Sequence, residues 1–158
     1  FMKRVTYWPQ LALGITFNWG ALVGWAAVQG ELGPPALVLY VAGIFWTLGY
    51  DTIYGLQDIE DDPLVGVKST ALALISNMRF WLYIFYGAAI VLMGVAGWLV
   101  ELSWPFYLGL GLTGLHGVWQ VWDLKINNPH DCLAKFKSNH YKGFGLIVCL
   151  AIVAGQIV

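Results

Sequence analysis

Residues 35–62 read PALVLYVAGIFWTLGYDTIYGLQDIEDD, an apolar run that ends in acid. A helix rises ~1.5 Å per residue, so the stretch from Pro35 to Tyr54 is long enough to cross the ~30 Å hydrocarbon core of a bilayer. Asp51 lies at the end of that stretch, and Asp58, Glu60, Asp61 and Asp62 follow; these five are over half of the chain's nine acidic residues. An ionisable group at membrane depth is costly, which makes Asp51 a functional candidate by default.

Working outward, apolar stretches of similar length occupy 10–29, 80–100, 104–124 and 141–158. With 35–54 they predict five transmembrane helices in one all-α domain spanning 1–158. The composition agrees: 59% hydrophobic, 11% charged and a mean hydropathy of +0.67. Soluble chains carry about 25% charged residues, so this one has too little polar surface to cover a globule in water. The lipid bilayer is the expected solvent. A net charge of −1 leaves no basic excess for nucleic acid. Cys132 and Cys149 have neither CxxC spacing nor a secreted mini-protein context, and read as packing residues.

The eight basic residues supply an independent topological signal. Lys3 and Arg4 precede the first stretch; Lys68 and Arg79 lie between the second and third; Lys125, Lys135, Lys137 and Lys142 lie between or beside the fourth and fifth. The intervening loops, 31–33 and 101–103, contain none. By the positive-inside rule all eight share one face, the cytoplasmic or matrix side. Trp8, Trp25, Trp81, Trp98, Trp104 and Trp122 lie near the ends of the stretches, as interfacial anchors would. The opening Phe1-Met2-Lys3-Arg4 is expected of a truncated piece.

Two geometries are open for the acidic segment. If the helix runs on through Asp62, then Asp51, Asp58 and Asp62 lie within roughly 20° of one face, a hard oxygen-donor site suited to Mg²⁺ and a diphosphate. If Gly55 interrupts it, that geometry loosens. Asp58 to Asp62 also has the plain reading of a solvated loop. Lys68 could reach the same anion as a point charge, with Arg79, Lys137 and Lys142 as weaker candidates. His116 is either a ligand or a hydrogen-bonding residue within a span, and His130 and His140 read as solvated. Asn18 either lines a polar cavity or pairs with another helix. Trp46, Tyr50 and Tyr54 form an i, i+4, i+8 stripe that serves packing, or shields an allylic cation. No glycine-rich nucleotide motif is present, and no inverted repeat or paired intramembrane charge indicates a transporter.

The segments 1–10, 50–62 and 66–70, with Asn139-His140-Tyr141, resemble the UbiA superfamily of membrane prenyltransferases. Within it the chain is similar to the branch that prenylates an aromatic hydroxy acid for ubiquinone synthesis. The likeness covers the C-terminal portion of a nine-helix bundle; a first aspartate-rich motif of the N-D-x-x-D-x-x-x-D kind has no counterpart. The resemblance implies that Asp58 and Asp62 bind Mg²⁺-diphosphate and that Lys68 contacts the diphosphate. It also implies that Asp51 and Tyr54 serve catalysis, and that the substrates are a polyprenyl diphosphate and an aromatic acid. A bacterial or mitochondrial inner membrane is the expected location, with the acidic loop on the cytoplasmic or matrix side. The missing N-terminal half, or a companion subunit carrying it, is the implied partner. The alternative is a non-catalytic membrane subunit with a structural role in a complex.

Overall fold

A computed structural model describes residues 2–140, so the predicted fifth span at 141–158 lies outside the described residues. Those residues form helices and turns, without a strand among them. The helices are α1 (Met2–Val5), α2 (Pro9–Phe17), α3 (Trp19–Gln29), α4 (Pro34–Gly55), α5 (Thr70–Leu74), α6 (Met78–Leu99) and α7 (Trp104–Trp122). Residues 129–140 are also helical. Prolines open α2, α4 and α7, where their missing N–H leaves no hydrogen bond unmade.

Three stretches are long and apolar enough to cross a membrane: Pro9–Gln29, Pro34–Asp58 and Thr70–Leu99. Helix α7 has the length, but its tryptophans, His116 and Gln120 lower its hydropathy, and it is not among them. The stretch 10–29, expected as one helix, is divided at Asn18 into α2 and α3. The Asn18 amide donates to the Gly14 carbonyl at 2.7 Å and to Thr47 Oγ1 at 3.1 Å, tying the break to α4. Gly43 of α4 makes this approach possible, since any Cβ there would collide with Asn18 Oδ1.

Helix α4 packs most extensively on α6, with α2 and α3 on one flank; α7 packs on α6. The main core lies near one end of this assembly, around Ile53, Leu56, Met78, Leu82, Phe85, Val121 and Leu124. A smaller cluster, Phe106 and Leu110, lies where α6 and α7 turn. Large apolar side chains such as Phe17, Trp98, Trp104 and Trp122 face outward, the arrangement expected where the surrounding solvent is hydrocarbon.

Cross-contacts collect the charged segments at the core end. The Lys68 N–H donates to the Lys3 carbonyl at 2.7 Å, joining the start of the chain to the segment after α4. Arg79, at the start of α6, donates to the Leu124 carbonyl just beyond α7 at 3.0 Å. Tyr54, at the end of α4, packs at a tilt against Phe136 of the helical residues 129–140, with ring centroids 4.8 Å apart. Every described basic residue belongs to these segments, while Glu31 and Glu101 occupy the opposite loops.

Candidate functional site

The helix does not continue through Asp62. It closes at Gly55 and passes through a 3₁₀ turn, Leu56–Asp58, then a second, Asp62–Val65. A carboxylate seven or eleven residues past Asp51 therefore leaves the α-helical register, and the one-face arrangement of Asp51, Asp58 and Asp62 is not formed. Among the described residues no three His, Cys, Asp or Glu side chains stand together at metal-ligand spacing.

The acidic turns are nevertheless ordered. Asp61 N–H bonds the Asp58 carbonyl at 3.1 Å, and Val67 N–H bonds the Asp62 carbonyl at 2.9 Å, which closes a loop at Gly66, with its positive φ of 69°. Asp58, Glu60 and Asp61 are exposed, whereas Asp62 is only 7% exposed. Its Oδ2 is buried and accepts no hydrogen bond. A buried carboxylate oxygen without a donor is expensive, and such a group commonly marks a place for an ion or ligand.

Asp51 is half-buried on α4, and Tyr54, one turn further, is exposed. Lys68 is half-buried, its Nζ lying 5.2 Å from the centroid of the Tyr7 ring. The chain around it is held from the N-terminal side. Gln10 Oε1, inside the core, accepts from Thr70 N at 3.0 Å and Thr70 Oγ1 at 2.7 Å, and Thr70 Oγ1 lies 3.2 Å from the Tyr7 carbonyl. Lys3 is the cation whose field reaches Asp51. Tyr7 and Gln10 enter the sequence reading only within the segment 1–10 that carries the resemblance, and Lys3 also as one of the cations on the predicted inner face; their partners Lys68 and Thr70 are about 60 residues distant.

The Trp46, Tyr50, Tyr54 stripe both packs and lines space. Trp46 meets Tyr86 edge-on at 5.9 Å, and Phe136 meets Tyr50 at 5.7 Å as well as Tyr54. A cavity of about 340 Å³ opens here, lined by Trp46, Tyr50, Phe136, Lys137, Asn139 and His140. It shares Trp46 and Asn139 with a second cavity of about 350 Å³ that reaches Asn18, Gly43 and Thr113. That one in turn shares Leu39 and Met93 with an apolar cavity of about 170 Å³ beside Trp25 and Phe106. Asn18 thus pairs with another helix, as one of its two readings has it, and the cavity it lines is mainly apolar rather than polar. His116 lies against the Trp119 ring at 5.2 Å, and among the described residues no cluster of three potential metal ligands includes it. Arg79, engaged with Leu124, lines a different cavity, and Lys142 and Cys149 lie outside the described residues.

Helix 129–140 is fastened by a buried cation. Lys135, whose side chain is 6% exposed, pairs with Asp123 at 2.5 Å and Asp131 at 3.4 Å, and its Nζ lies 4.4 Å from the Trp119 ring centroid. Gln120 Nε2 donates to the Lys135 carbonyl at 2.5 Å. The hydrogen bond and charge of Lys135 hold the Asp123 carboxyl below its ordinary range. Burial pushes the Cys132 thiol, on the same helix, up to about 11.

The sequence model of the UbiA prenyltransferase family matches residues 1–150. The chain is 50% identical over 157 residues to "4-hydroxybenzoate polyprenyltransferase, mitochondrial" of Drosophila melanogaster, covering 99% of this chain and 40% of that protein. The protein of the same name in Homo sapiens is 48% identical, with 99% and 42% covered, and that of Arabidopsis thaliana 46%, with 98% and 38% covered. The chain thus spans about two fifths of the length of these relatives. No solved structure matches it. With a family match over nearly its whole length, the chain belongs to the UbiA prenyltransferase family.

Proposed function

We propose that this chain supplies the second aspartate-rich part of a polyprenyl-transfer site, and that the complete protein transfers a polyprenyl group from polyprenyl diphosphate to 4-hydroxybenzoate in ubiquinone synthesis. The mitochondrial inner membrane is the proposed location, following the names of the relatives. The observation that carries the reading is the buried, unpartnered Asp62 Oδ2 in an ordered loop at the end of a long apolar helix. Its donor set suits Mg²⁺, which typically takes one or two carboxylates together with substrate phosphates and so does not need a third acid. Asp58 and Asp62 would hold that ion, which when bound offsets the diphosphate charge and eases its departure.

The remaining roles fall to the chain's own residues. Lys68 brings an ammonium to the diphosphate from the segment that Gln10 and Tyr7 hold in place. The allylic C–O bond breaks, a ring carbon ortho to the phenol hydroxyl forms the new C–C bond, and that carbon then loses its proton. Asp51 orients the phenol and receives that proton. The faces of Tyr54 and Phe136 flank the allylic cation, and the helix end keeps water away from it. The isoprenoid tail follows the adjoining cavities from Trp46 toward Leu39 and Met93.

The test is an assay of the complete protein in membranes with polyprenyl diphosphate, 4-hydroxybenzoate and Mg²⁺. Removing one metal-binding carboxylate forfeits several kcal/mol of transition-state stabilisation, so Asp62→Asn is expected to lower kcat/KM about a hundredfold or more. Asp51→Asn is expected to lower kcat with little change in the KM for the diphosphate. Undiminished turnover by Asp62→Asn would overturn the proposal.

A further inference from the structure

A cavity separate from the acidic turns lies between the start of α6 and the segment after α7. It measures about 420 Å³ and is lined by Arg79, Leu124, Lys125, Ile126, Asn127 and Asn128. Two of these residues are cations, two carry amides, and none is acidic. Arg79 uses one guanidinium nitrogen to bond the Leu124 carbonyl at 3.0 Å, which fixes the group at the cavity wall with donors left over. Neither Arg79 nor Lys125 pairs with a carboxylate among the described residues; both ion pairs found there belong to Lys135. Two acids lie nearby, both engaged by Lys135: Asp131, which also accepts from the Lys125 backbone N–H, and Asp123, which feels the Lys125 charge without an ion pair to it. Asn128 Oδ1 accepts from His130 and Asp131 N–H, so the loop that forms the cavity floor is ordered.

On the predicted topology the cavity falls at headgroup level. It joins the ends of two long helices on the face where the described basic residues collect. Its sequence neighbours Phe80 and Trp122 are 60% and 73% exposed, aromatic side chains turned outward beside the cations. An open, exposed groove with two cations that form no salt bridge, and outward aromatics next to them in sequence, has the chemistry to take a phosphate oxygen whose other substituent stays in the bilayer.

We infer that the cavity formed by Arg79, Lys125, Asn127 and Asn128 binds the phosphate of an anionic phospholipid headgroup. The inference is independent of the catalytic proposal, because none of these residues belongs to the acidic turns or the aromatic stripe.

The test uses the complete protein in nanodiscs of phosphatidylcholine containing a minor fraction of phosphatidylglycerol. The readouts are the ratio of the two lipids retained on purification and the protection of Lys125 from an amine-reactive reagent. Arg79→Gln with Lys125→Gln is expected to lower the phosphatidylglycerol preference at least about fivefold, the weight of one basic group near an anionic surface. Asn127→Asp, at an exposed loop position, is expected to lower it without disturbing the fold, and Arg79→Lys with Lys125→Arg to retain it. An unchanged preference in both Arg79→Gln/Lys125→Gln and Asn127→Asp overturns the inference. An equal loss in Arg4→Gln also overturns it, since diffuse surface charge would then be the cause. Protection of Lys125 by inorganic phosphate in pure phosphatidylcholine, matching that by phosphatidylglycerol, overturns the lipid assignment in favour of a free-anion site.

Discussion

Lys135 ties helix 129–140 to the end of α7. It reaches back to Asp123 at the end of α7 and across one turn to Asp131, and the same helix carries Phe136 to the Tyr50 and Tyr54 rings. Because Lys135 lowers the folded-state pKa of Asp123, the pair stabilises above the ordinary carboxylate pKa of about 3.9, and that contribution is lost as pH falls through the lowered folded value. Asp123→Asn is therefore expected to melt below the unsubstituted protein at pH 6, with the gap closing as the solution is acidified below about pH 4. Thermal unfolding in detergent across that range measures it. Cys132, buried beside the pair, provides a second readout. Its alkylation at pH 8 is slow in the folded protein and is expected to be about two- to fivefold faster in Asp123→Asn, the range an ion pair of this exposure supports. A gap independent of pH would show that Asp123 acts by packing alone. At this scale the sequence displayed the acids and cations but not their pairing. In sequence Lys135 is one more cation of the predicted inner face, because only the turn between α7 and the next helix brings Asp123 to it.

At the scale of elements, hydropathy was a good guide to where helices lie and a poor one to where they break. The stretches predicted at 35–54, 80–100 and 104–124 match α4 at Pro34–Gly55, α6 at Met78–Leu99 and α7 at Trp104–Trp122 to within two residues at each end. The division at Asn18 was invisible, since the bonds that hold it involve Thr47 of another helix, and the helical residues 129–140 sit in what read as a loop. The acidic segment shows the same limit: Gly55 ends α4 and replaces a single helical face with two 3₁₀ turns. Contact between α4 and the Asn18 break requires a missing side chain at Gly43. Gly43→Ala is expected to cost about 1–3 kcal/mol, the usual penalty for overpacking a close contact. The double variant Asn18→Ala/Gly43→Ala should recover part of the loss, because it removes the colliding oxygen. Denaturation in detergent of the single and double variants measures the coupling; additive losses would mean that the two residues do not share the contact.

For the whole molecule the most informative sequence feature was the placement of its cations, and the fold gives that placement a physical counterpart. The Lys68–Lys3 and Arg79–Leu124 hydrogen bonds and the Tyr54–Phe136 contact gather three separate charged segments at one end of the bundle. Gly97, which abuts the Phe106 ring, brings α6 and α7 together at the other end, beside Glu101. In a bilayer each end of such an arrangement is expected to meet water and the apolar flanks to meet lipid, which predicts that the loops at 31–33 and 101–103 lie across the membrane from 125–128. Single cysteines placed at Ser103 and at Asn127, in a Cys132→Ser and Cys149→Ser background, are expected to react with a membrane-impermeant maleimide from opposite faces of sealed vesicles. Asn127 should share its face with a cysteine placed at Glu60, in the acidic turns. Labelling of Ser103 and Asn127 from one side would mean that α7 does not traverse the bilayer. Its lower hydropathy would then reflect burial against other protein.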